Sequence, residues 1–245
     1  QSARPPGRLR SRRKPLSSTL RFYAYIRRFS NSTCVAKQCR FWPTETTTTV
    51  FIVTTSRISI LDQRVRTCSM CSLCDTRSNA VVGSGPHNAS VLLLGEAPGA
   101  NEDRTGLPFQ GLSGKILTEA LSQANLDRLS VRISNVVRCR PPGNRPPTPA
   151  EMDSCKSHLI EEIEALSPKI IVTLGASPAR ALGILKQREP LSSVRGSVFD
   201  LSIDASTYRV LATVHPAYAL RSRVKVLPVM VADLKRASDL SLGGN

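Results

Sequence analysis

No stretch of this 245-residue chain reaches the roughly 18 consecutive apolar residues that a membrane-spanning helix needs, so no such helix is expected. Acids are scarce and unevenly placed. Residues 1–67 hold 14 Lys and Arg against two acids, Glu45 and Asp62, while residues 68–245 hold 20 against 16. The formal net charge of +16 therefore comes mainly from the front of the chain. The remainder is only mildly basic, which suits a polyanionic partner without requiring one. No internal repeat is visible, so a solenoid is not expected. Histidine occurs three times, at His87, His158 and His215, and the first methionine is Met70.

The front segment, residues 1–67, is rich in Arg, Ser and Thr, and Leu20–Phe29 carries a basic amphipathic pattern. Three readings fit that composition: an organelle transit peptide, a solvated basic tail, and translated upstream sequence. Cys34 and Cys39 lie here without a partner pattern and are read as incidental. Residues 68–245 are long enough for one sizeable α/β domain.

Within 68–245, apolar β-branched runs at 91–94, 131–137, 170–174 and 208–214 alternate with helical patterns near 113–124, 149–166, 177–187 and 229–240. Strand and helix in alternation predict a parallel sheet covered on both faces. Thr148, Pro149 and Glu151 form a strong helix start. The segment Gly95–Gly111, GEAPGANEDRTGLPFQG, follows the first run. It is too polar for core, and it sits at the carboxyl end of a buried strand, where open α/β sheets place ligands.

Five cysteines follow residue 67: Cys68, Cys71, Cys74, Cys139 and Cys155. The C-x2-C-x2-C run can place thiolates on one centre, and the proline-rich loop 140–147 could bring Cys139 and Cys155 to it. Four thiolates suit either a tetrahedral zinc ion or an iron–sulfur cluster, and spacing alone leaves Cys74 as a rival ligand.

Taken together, C-x2-C, GEAPG-x3-D-x2-G-x-PF-x-G, SNVVRCRPPGNRPPTPAE and VHPAYALR resemble the family 4 uracil-DNA glycosylases, the iron–sulfur members of their superfamily. The resemblance runs from Cys68 to the last helix and leaves out residues 1–67. It implies a three-layer α/β/α sandwich with a four-stranded parallel sheet and a [4Fe–4S] cluster on Cys68, Cys71, Cys139 and Cys155, with Cys74 at a non-ligand position. It implies an enzyme that flips uracil out of single- or double-stranded DNA and hydrolyses its N-glycosidic bond, acting as a monomer.

The chemistry matches the residue types. A flipped base needs a flat apolar surface, and Phe109 is the candidate. Reading uracil needs an acceptor for N3–H and a donor for O4; the amide of Asn135 offers both and a carboxylate would not. His215 can donate to the developing uracil anion, as a neutral or a charged ring. Glu96 and Glu102 are candidates for handling water or the cationic sugar, with the division between them open and Glu102 also readable as a cap. Other uracil glycosylases carry an aspartate where Ala97 stands. Gly95, Ala97 and Gly99 offer backbone close to the base. Arg140, Arg145, Arg221 and Arg223 are candidate phosphate contacts, and Leu220 a candidate wedge for the vacated stack.

Two other groups of the superfamily fit this sequence less well. A group that forms a covalent adduct through a histidine after the second strand is disfavoured, because residues 140–147 contain none. A group lacking the glutamate is disfavoured by Glu96. The alternative from another class is a non-catalytic DNA-binding or polymerase-associated module stapled by a metal.

Overall fold

The computed structural model describes residues 56–243. Cys34, Cys39 and the basic stretch 20–29 lie outside the described residues. The first described element, α1 (Arg57–Arg66), is capped by Ser56, whose Oγ accepts from Ser59 N at 3.1 Å. It falls within the segment that composition groups with the basic leader, yet Ile58, Leu61 and Val65 are buried in the domain core.

The sheet has five strands: β1 (Val91–Gly95), β2 (Arg132–Asn135), β3 (Ile170–Leu174), β4 (Val198–Ile203) and β5 (Ser206–Thr213), in the order β2-β1-β3-β5-β4. The four expected strands are present and mutually parallel. The expected four-stranded parallel sheet is corrected by β4, which pairs antiparallel with β5 at the edge. β4 is half-exposed along its length, so it lacks the solid apolar run that marks a buried strand. Asp204 takes a left-handed φ of 46° in the turn joining the pair.

Residues alternate across the sheet as a period of two demands. Leu93, Ile133, Val172 and Leu211 face a core with α3 (Leu112–Gln123) and α7 (Arg223–Ser241). Leu92, Leu94, Ile171 and Val210 face the other core with α1 and α4 (Pro149–Leu166). Helices thus cover both faces. The start of α4 is as read: Thr148 Oγ1 accepts from Glu151 N at 3.3 Å, and Glu151 Oε2 accepts from Thr148 N at 2.7 Å. Three short helices stand at strand ends: α2 (Ala100–Thr105), α5 (Ala176–Ala181) and α6 (Pro216–Arg221). α5 is shorter than its sequence pattern, and α7 begins earlier than its own, running through Pro228.

Candidate active site and thiol cluster

Parallel strands all present their carboxyl ends on one side of the sheet. Gly95 ends β1, Asn135 ends β2, and His215 follows β5 by two residues. In that position, Glu96, Ala97, Gly99, Glu102, Phe109, Asn135 and His215 line a single cleft of about 200 Å³, together with Gly111 and Ser113. Gly95 lies directly against two of these side chains, Asn135 and Phe109. A Cβ on Gly95 would lie 2.3 Å from Asn135 Oδ1 and 2.8 Å from the Phe109 ring, so only glycine lets amide and ring close over this strand end. Gly95 and Asn135 are register partners, which fixes the amide beside the β1 loop.

The two glutamates differ sharply. Glu102 sits in the first turn of α2, and its carboxylate is occupied by backbone. Oε2 accepts from Gly99 N at 3.1 Å, and Oε1 accepts from Gln110 N at 2.7 Å and Gly111 N at 2.9 Å. It closes the 99–111 loop on itself. Glu96 has no such set of donors. Burial pushes its carboxyl above the ordinary range, partly opposed by the Ser177 hydroxyl on α5. Asp103, the third acid of the loop, is buried and accepts from Ser78 N at 2.9 Å and Asn79 N at 3.2 Å, tying the loop to the segment after the cysteine run.

His215 caps α6. Its Nδ1 accepts from Ala217 N at 3.0 Å, so in the neutral ring the proton sits on Nε2. Burial lowers its pKa, which also favours the neutral form. The Phe109 ring lies 6.3 Å from the imidazole, tilted by 35°. In a ¹⁵N-histidine spectrum at pH 6.5, His215 is expected as the neutral Nε2–H tautomer, protonating only below the ordinary histidine value of about 6.5. With only three histidines to assign, a charged ring at that pH would overturn the tautomer.

Of the candidate phosphate contacts, Arg145 is committed within the protein. It grips Glu151 through contacts of 2.6 and 2.8 Å, and this hydrogen bonding holds the Glu151 carboxyl at about 2 despite burial. Arg223 pairs with Glu119 at 2.5 Å, and Arg140 bonds Asn144 Oδ1 at 2.7 Å. Arg221 ends α6, on which Leu220 and Tyr218 expose large apolar surface.

Away from the cleft, Cys68, Cys71, Cys139 and Cys155 surround one cavity, and Cys74 lines it too. Cys74 turns outward enough for its Sγ to contact Asp75 Oδ1 at 3.3 Å. Sequence reasoning missed the cations around these thiols. Arg77 donates from Nη1 to Cys139 Sγ at 2.9 Å and from Nη2 to the Cys68 carbonyl at 2.7 Å. Arg138 lines the same cavity with its Nε buried and without a protein partner. His158 approaches Cys68 Sγ at 3.3 Å through Nε2. Burial pushes the Cys139 thiol up to about 11, against the pull of Arg77. Among the described residues no three Cys, His, Asp or Glu side chains are arranged to hold a single metal ion. No sequence signal separates Arg77 and Arg138 from the other 32 basic residues of the 34.

Residues 82–236 match the family described as the uracil DNA glycosylase superfamily. Over 181 residues the chain is 39% identical to the type-4 uracil-DNA glycosylase of Thermotoga maritima, covering 74% of this chain and 92% of that protein. It is 39% identical over 186 residues to the type-4 enzyme of Pyrobaculum aerophilum, covering 75% and 92%. The type-4 enzyme of Archaeoglobus fulgidus is 38% identical over 180 residues, covering 73% and 90%.

Proposed function

The chain belongs to the uracil DNA glycosylase superfamily, and from that membership we propose that the cleft at the ends of β1, β2 and β5 receives a uracil flipped from DNA. The chain is a uracil-DNA glycosylase: it removes uracil from DNA by cleaving its N-glycosidic bond. One observation carries the assignment of roles. A flat ring, a reading amide, an imidazole donor and a half-buried carboxyl not held by backbone amides converge on a single cleft.

In this reading the base stacks on Phe109, and Asn135 accepts from N3–H while donating to O4. As the bond from C1′ to N1 breaks, its electron pair passes into the uracil ring and charge gathers on O2. The Nε2–H of His215 donates to that oxygen from an orientation fixed by the Nδ1 contact with Ala217 N. The sugar becomes cationic at C1′ and takes the oxygen of a water molecule. Glu96 is the carboxyl left to orient that water and accept its proton, since the oxygens of Glu102 are held by three amides. Glu102 therefore acts by shaping the loop. Leu220 fills the gap in the stack.

Cys68, Cys71, Cys139 and Cys155 would hold a [4Fe–4S] cluster. Four sulfur donors around one cavity, an orphaned buried Arg138 Nε beside them and Arg77 already donating to a sulfur suit a thiolate-bound anionic group. Bound there, the cluster would supply iron–thiolate bonds that tie residues 68–77 to the end of β2 and to α4.

A uracil-containing oligonucleotide, treated with the protein and then with alkali, is expected to be cut at the uracil; no abasic product would refute the assignment. Asn135→Asp is expected to slow uracil excision roughly 10- to 100-fold, because a carboxylate cannot donate to O4 and accepts instead from the amino group of cytosine. Relative to uracil, cytosine excision should rise in the same variant. An unchanged uracil rate removes Asn135 from the reading role.

A further inference from the structure

Resting on the reading of Phe109 as the stacking surface, we infer that Arg128 is a positioning residue for uracil excision, holding Phe109 in the backbone shape that lays its ring over the cleft. Phe109 has a φ of 53°, in the left-handed region that a bulky residue leaves unless its surroundings prevent it. Those surroundings can be named. Arg128, in the turn between α3 and β2, donates from Nη2 to the carbonyls of Phe109 at 3.1 Å and Pro108 at 3.3 Å. Its Nη1 donates to Thr118 Oγ1 at 3.1 Å, and Thr118 donates in turn to the Gly114 carbonyl at 3.0 Å. Gly114 is where the Phe109 carbonyl packs: a Cβ there would fall 1.8 Å from that oxygen. Glu102 holds the next two amides, those of Gln110 and Gly111. The peptide following the ring is thus gripped on its carbonyl by Arg128 and on its N–H by Glu102.

The character of Arg128 supports a dedicated role. It is partly buried, and among the described residues its hydrogen-bond partners are two carbonyls and a hydroxyl, with no carboxylate among them. The planar fork reaches the two adjacent carbonyls from Nη2 and the helix hydroxyl from Nη1; an ammonium has to reach all three from a single nitrogen on a flexible stem. Even partial burial withdraws the cation from water with no carboxylate among those partners to offset it.

A double-mutant cycle tests the inference, with single-turnover uracil excision and inhibition by free uracil as readouts and thermal unfolding as a control. Arg128→Ala is expected to lower excision and weaken free-uracil inhibition about tenfold or more, since small misplacements of a positioning group have effects of that order. Arg128→Lys should recover only part of both. In a Phe109→Ala background, Arg128→Ala should change neither, because the ring it positions is gone. Equal losses in the two backgrounds would overturn the inference and leave the stacking reading intact. Full activity in Phe109→Ala itself would overturn the stacking reading and the inference with it. If Arg128→Ala does not fold, Thr118→Val, which removes the acceptor for Nη1 and the donor to the Gly114 carbonyl while leaving Arg128 in place, carries the same cycle with the same outcomes.

Discussion

Gly95→Ala is expected to cut single-turnover uracil excision by about 10²- to 10³-fold while the protein still folds. The added methyl would stand 2.3 Å from Asn135 Oδ1 and 2.8 Å from Cε2 and Cζ of Phe109. Neither distance is tolerable, and both neighbours are side-chain ends, so side chains give way before the sheet does. β1 is anchored on both edges by parallel partners, β2 and β3. The two displaced groups are the ones assigned to read and to stack the base. A shift near 1 Å in one positioning group can cost about 10²-fold, and here two move together. The informative measurements are excision rate and free-uracil affinity alongside circular dichroism and melting temperature. A variant that melts like the parent but cuts at the parent's rate would show that the strand end does not set the pocket.

Much of that pocket was legible because of topology. Once 91–94, 131–137 and 208–214 are read as parallel strands, their carboxyl ends must lie together, and Glu96, Asn135 and His215 with them. What stayed hidden has physical reasons. β4 is half-exposed, and its alternation is confined to Asp200 and Ser202 within six residues, too short to stand out without a buried run. α1 sits inside an Arg-rich segment, and its three core residues are too few to outweigh that composition. The split between the two glutamates depends on which backbone amides the folded loop points inward, and no residue pattern encodes that directly. His158, on α4, is a buried neighbour of Cys68, and no spacing in the sequence links the two. Charged residues were the least legible. Arg132, Arg138 and Glu162 are of types mostly found exposed, yet they are buried in the domain.

That buried group carries the second large effect: Glu162→Ala is expected to lower folding stability by about 3–5 kcal/mol, or a melting temperature drop on the order of 10 °C. Glu162, on α4, accepts from Arg132 Nε at 2.9 Å, Arg138 Nη2 at 2.6 Å and Ser134 Oγ at 2.7 Å. Arg138 also donates to Ser134. Burial alone would push the Glu162 carboxyl up, but Arg138, Arg132 and Ser134 outweigh it and hold it below the ordinary carboxylate range. Removing it takes the one carboxylate shared by both guanidinium groups out of the interior and leaves Arg132 only the partly exposed carboxylate of Asp62 at 3.2 Å. Glu162→Gln keeps an acceptor and should lose less. The sign of the pH dependence follows from the lowered value. The stabilisation is fully present above the unfolded carboxylate value of about 4.3 and fades as pH falls through the folded one, so the gap between parent and Glu162→Gln should narrow in acid. The network also spans the two sites. Arg132 and Ser134 belong to the strand that ends in Asn135, Arg138 borders the thiol cavity, and α4 carries Cys155. Loosening it should therefore weaken retention of the proposed cluster, read from iron and sulfide content, together with stability. An Ala variant that melts within about 1 °C of the parent would show that these charges offset one another without needing Glu162.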